Sequence, residues 1–188
     1  GRGLASPATS CGAGAAATWR CMRAREATRR MALAVEGIPG LRIVGEPDST
    51  LLAIAGEGDE PVDPFRLADA MRHRGWTLQP QPSLGDLPRT LHLTVQPVSL
   101  DSVDAFTRDL AEAAAEVRPL PWIDVSADLE AAFANLPDLT SGGPLPAEMA
   151  GVHALIDALP PEIRDPALTA IFSALFTAHR GEGSPPGR

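Results

Sequence analysis

The chain has 188 residues, 44% of them hydrophobic and 21% charged, enough for one soluble domain with its own core and an appendage. Its formal net charge of -8 excludes a broad phosphate-binding surface, because nucleic acids and anionic membranes are held by clustered cations. All 16 cationic side chains are arginines, and a polypeptide without lysine cannot form a Schiff base with a carbonyl compound.

In chain order, residues 1–22 are rich in Gly, Ala, Ser and Thr without a hydrophobic period and read as an irregular leader. Both cysteines, Cys11 and Cys21, lie there; their absence from the rest of the chain fits a cytoplasmic protein. From residue 23 to 36, Ala27, Met31, Ala34 and Val35 recur at helical spacing, and Gly37 and Pro39 stop the helix. Residues 41–44 and 50–55 read as two strands joined by the turn-rich Glu46, Pro47, Asp48 and Ser49. The second is apolar on both sides, as a central strand would be.

Asp63 and Pro64 form a helix start: the carboxylate accepts from free N–H groups, and proline suits the first turn. Phe65, Leu67, Ala68 and Met71 give that helix its buried face, and Gly75 ends it. Trp76, Thr77 and Leu78 are expected to open a third strand, and residues 79–88, with three prolines, a loop. Residues 89–95 alternate, placing Leu91, Leu93 and Val95 on one face and His92 and Thr94 on the other. Ser99 or Asp101 can then cap a helix carrying the stripe Val103, Phe106, Leu110, Ala113 and Val117.

Residues 119–146 are proline-rich and read as a linker with a short helix near residues 127–135, capped by Ser126. Met149, Val152, Leu155, Ile156 and Leu159 make an amphipathic helix, and Leu168, Ile171, Phe172, Leu175 and Phe176 a second, so residues 147–180 form a helical hairpin. The tail 181–188 is expected to be disordered. The fold class is α/β (α+β): a small mixed or antiparallel sheet with helices packed on it, followed by that hairpin.

No apolar run approaches the ~18 residues of a membrane span. No metal site is expected, since His73, His153 and His179 sit on separate helices without partners at ligand spacing. Glu57, Asp59 and Glu60 belong to a solvated loop, and Ser141-Gly142-Gly143 lacks the lysine of a phosphate loop.

The segments GIPGLRIVGEPDSTLLAIAG, DPFRLADAMRHRGWTLQPQP and PRTLHLTVQPVSLDSVDAFTRDL, in that order, resemble the C-terminal small domain of fold-type I pyridoxal-phosphate enzymes. The resemblance spans residues 23–118 and is nearest to group II amino-acid decarboxylases and bacterial proteins similar to sphingosine-1-phosphate lyase. It implies a decarboxylase or carbon–carbon lyase with pyridoxal phosphate as electron sink. In that family a large domain carries the cofactor lysine, a histidine stacked on the cofactor ring and an aspartate on its nitrogen. The chain is therefore expected to be a fragment, inactive alone, that binds no cofactor by itself, has the missing large domain as partner and is homodimeric in the intact protein. No catalytic residue is assigned; Arg89 and His92 are the candidates for a substrate anion, because small domains of this fold often supply such a contact. The leader reads as an out-of-frame translation up to about residue 21. The alternative is a noncatalytic α/β binding module that dimerises through its last two helices, with the Phe172 and Phe176 stripe as interface.

Overall fold

A computed structural model describes residues 14–125, 147–160 and 162–164. Its elements are α1 (Ala15–Glu36), β1 (Leu41–Ile43), β2 (Leu51–Gly56), α2 (Pro64–His73), β3 (Gln79–Gln81), β4 (Thr90–Thr94), a 3-10 turn (Pro97–Ser102), α3 (Val103–Val117) and α4 (Ala150–Ala158). The strands form one antiparallel sheet in the order β1-β2-β4-β3. The expected short helix at 127–135 and the second helix of the hairpin lie outside the described residues, as does the tail.

The two central strands, β2 and β4, set the register: Leu52 pairs with Leu93, Ala53 with His92 and Ile54 with Leu91. Side chains alternate across the sheet, so Leu52, Ile54 and Leu91 fall on one face. That face is covered by Met31 and Val35 of α1, Leu67 and Met71 of α2, and Phe106, Leu110 and Val117 of α3. The apolar stripes expected for these helices are the ones buried, except that Ala34 of α1 is only half-buried. Leu51 remains exposed, so the central strand is not covered evenly on both sides.

Local chemistry sets the helix ends. The Asp63 Oδ1 accepts from the Phe65 N–H at 2.9 Å, as the Asp-Pro pair predicts. Gly75, at φ 87°, turns the chain out of α2 through a conformation open to glycine. At Gly56 the constraint is space, since a Cβ would sit 2.6 Å from the Val62 carbonyl oxygen and 2.9 Å from the Trp122 ring.

Several expectations need correction. Helix α1 begins at Ala15 rather than at residue 23, because its alanine-rich start favours helix without an apolar stripe. The third strand is Gln79–Gln81, not Trp76 to Leu78. Trp76 instead packs edge-on against Phe106, with ring centroids 5.3 Å apart, and donates from Nε1 to Asp109 at 2.8 Å. Neither Ser99 nor Asp101 caps α3: Ser99 forms a reciprocal box with Gln96 that starts the 3-10 turn, and Asp101 pairs with Arg23 at 2.6 Å.

Candidate functional site

The densest polar arrangement among the described residues is centred on Arg89, at the entry to β4. Its guanidinium lies between two aromatic rings, 4.8 Å from the Phe65 centroid and 5.0 Å from that of Trp122. The side chain is only 16% exposed and meets two buried carboxylates, Asp157 at 3.0 Å and Asp63 at 3.7 Å. It also donates to the Ile123 carbonyl at 3.1 Å. A cation removed from water requires such compensation.

Each carboxylate has further donors. The Asp63 Oδ2 accepts from the Ile123 N–H at 2.9 Å. The Asp157 Oδ1 accepts from the Ser83 N–H at 2.6 Å and from its hydroxyl at 2.7 Å. Arg164 donates to the Ser83 carbonyl at 3.0 Å. These contacts join three stretches distant in sequence: the start of α2, the loop before β4, and the end of α4 with the turn that follows it.

The other end of α4 is fastened to α2. Asp69 accepts from the backbone N–H groups of Met149 at 2.9 Å and Ala150 at 2.7 Å, neutralising the free donors of the helix start. Arg72 pairs with Asp69 at 2.5 Å, and His73 with Glu148 at 3.1 Å. Between these fastenings Phe65, Ala150 and Ala154 form a second small apolar cluster. His153 packs there with its ring 5.6 Å from that of Phe65, and burial lowers its pKa below the usual histidine value. Sequence position suggested a surface or helix-end role for it; nothing local announces the contact with Phe65.

His92 occupies a different place. It lies on β4 between Ala53 and Gln79, on the sheet face away from the core helices, and lines an open cleft of about 500 Å³ with Thr77, Gln79 and Thr94. The sheet thus separates the two anion candidates: Arg89 is surrounded by protein carboxylates, and His92 faces outward. Sequence reasoning missed Asp63, Asp157, Phe65 and Trp122 as partners of Arg89; the Asp63 cap was visible, but its second role was not.

The sequence has no lysine to form a Schiff base with pyridoxal phosphate, and Arg89 is already paired with Asp63 and Asp157. Among the described residues, no group of three or more His, Cys, Asp and Glu side chains could hold a metal ion. Among them, too, no helix is long and apolar enough to cross a membrane. Cys21 on α1 is disulfide-bonded.

Residues 108–174 match the family described as "Pyridoxal-dependent enzyme, C-terminal putative HTH domain". That stretch is similar to a C-terminal domain of pyridoxal-dependent enzymes. The chain is homologous to sphingosine-1-phosphate lyase: over 115 residues it is 31% identical to that of Arabidopsis thaliana and 30% identical to that of Oryza sativa subsp. japonica. Those alignments cover 60% of this chain and 20% of each relative, so the chain spans about a fifth of the length of the curated relatives it matches. A solved sphingosine-1-phosphate lyase of Burkholderia pseudomallei superposes with a TM-score of 0.50 and 27% identity, over 71% of this chain and 28% of that one.

Proposed function

We propose that this chain serves as the small C-terminal domain of a longer pyridoxal-phosphate-dependent carbon–carbon lyase, and that it does not carry out the reaction alone. The observation that carries this reading is the homology to sphingosine-1-phosphate lyases over only a fifth of their length, in a chain with no lysine. The substrate class that follows is a phosphorylated long-chain base, cleaved between two carbons; an amino-acid decarboxylase is the other chemistry compatible with the same superfamily. The cofactor, where bound, supplies an electron sink for the carbanion that such cleavage leaves.

In this reading the partner is the cofactor-bearing domain, docked against the open sheet face that carries Ala53, His92 and Thr94. His92 is the side chain placed to meet an anionic group there, with Arg89 behind it holding the sheet to α4. The described part of the helix-turn-helix match offers no free recognition helix, since α3 turns its apolar stripe into the sheet. Together with the net charge of -8, this favours a role without nucleic acid.

The test is to incubate the purified chain with pyridoxal phosphate, remove excess by gel filtration, and measure retained cofactor and release of long-chain aldehyde. Neither is expected. Stoichiometric retention with turnover would overturn the assignment, and so would a reading frame upstream of Gly1 that encodes no lysine-bearing domain.

A further inference from the structure

Helix α1 carries five arginines, and they divide by what they meet. Arg23 pairs with Asp101 at 2.6 Å, Arg29 with Glu26 at 2.8 Å, and Arg30 with Asp104. Arg20 and Arg25 meet no carboxylate and donate no hydrogen bond, alone among the arginines of the described residues. Both line one cleft of about 440 Å³, where the first turns of α1 cross the end of the β2–β4 pair. Ala24 and Val95, 5% and 3% exposed, give it an apolar floor. The surrounding backbone is already fixed: the Val95 N–H donates to the Thr50 carbonyl at 2.7 Å, and the Arg23 Nε donates to the Pro97 carbonyl at 3.2 Å, tying α1 to the start of the 3-10 turn.

In a chain with 24 acidic side chains, two arginines left without a counter-charge beside the same cleft mark a place where the protein does not neutralise itself. Asp48 is the one carboxylate in the lining, so a single positive charge remains for a ligand to balance. A carboxylate carries that one charge, and the planar fork of a guanidinium matches its two oxygens. We infer that this cleft binds an amphiphilic carboxylate of the medium-chain fatty-acid type, its head held by Arg20 and Arg25 and its alkyl chain lying over Ala24 and Val95. The volume falls within the roughly 300–1,000 Å³ of small-molecule sites, which are mostly apolar with a few polar groups that fix orientation. A phosphate head would bring nearly a second negative charge against Asp48, and a small anion without a chain would leave the apolar floor in water. This site is independent of the cofactor-bearing domain and of the role given to His92.

The experiment is isothermal titration calorimetry of the full chain with decanoate, kept below the concentration at which it forms micelles. One saturable site is expected, with a dissociation constant below about 1 mM. Arg20→Gln and Arg25→Gln should each weaken binding at least about 5-fold, and the double variant should leave none measurable, with circular dichroism confirming that α1 stays folded. Asp48→Asn should tighten binding about 2–3-fold, because the lining then loses its one negative charge. Arg42→Gln, on β1 and outside the lining, should leave it unaltered. Acetate, which has the head without the chain, and decyltrimethylammonium, which has the chain with the opposite charge, should each bind at least about 10-fold more weakly than decanoate. The absence of saturable binding up to about 5 mM decanoate overturns the inference. So does binding that survives loss of both arginines, equal binding of the cationic decyl compound, or tighter binding of decyl phosphate than of decanoate.

Discussion

Replacing Arg89 by methionine removes the charge while leaving much of the volume between Phe65 and Trp122 filled. Two effects then add. Each ring loses a cation at about 5 Å, an interaction of roughly 0.5–1 kcal/mol apiece. Asp63 and Asp157 lose their cation while buried, at 0% and 7% side-chain exposure. Orphaning one member of a buried pair costs about 3–5 kcal/mol. Here both carboxylates keep hydrogen-bond donors from Phe65, Ile123 and Ser83, which favours the lower end. The expected total is about 4–5 kcal/mol, against the roughly 5–15 kcal/mol of a whole domain. Urea unfolding would read this as a midpoint lower by about 2 M. The double variant Arg89→Met with Asp157→Asn should lose at least about 1 kcal/mol less than the two single losses combined, because each removes the other's orphaned partner. A single-variant loss below about 1 kcal/mol, or strict additivity, would show that Arg89 is not the fastening described.

Other outcomes follow from the same packing. Because burial lowers the pKa of His153, the unfolded state binds more protons than the folded one as pH falls below the ordinary histidine value of about 6.5. Stability is therefore fully present above that pH and declines below it, and His153→Gln should flatten the decline in melts recorded between about pH 5 and 7.5. Gly56→Ala should cost about 1–3 kcal/mol in urea melts, since its methyl group meets the Val62 carbonyl and the Trp122 ring. Asp69→Ala should speed amide exchange at Met149 and Ala150 while sheet amides keep their protection, because the backbone donors it releases lie at the start of α4. Phe106→Ala, at the centre of the core under the sheet, should lose about 3–5 kcal/mol.

Elements with a strong period or a local start signal were legible in the sequence: the Asp63 cap, the α3 stripe and the alternation of β4 all carry their own evidence. Strand β3 was not, because Gln79-Pro80-Gln81 has neither apolar alternation nor a donor at its centre; it is a strand only because Leu91 and its neighbours pair with it. The early start of α1 was hidden for a related reason, its first turns having helix propensity but no buried face. The surroundings of Arg89 were beyond reach, as their members come from residues 63, 65, 122, 123 and 157 and no spacing rule joins them.

Helix α3 has a consequence for how such proteins are inherited. The family match begins at Arg108, inside this helix, with Phe106 before that point and Leu110 after it buried under the same sheet. A recombination event joining a foreign sequence at residue 108 would divide one continuous apolar stripe between two ancestries. The strand-bearing layer and α3 should therefore travel through evolution as one heritable block, and chimeras with similar chains should be joined before Pro97 rather than within α3.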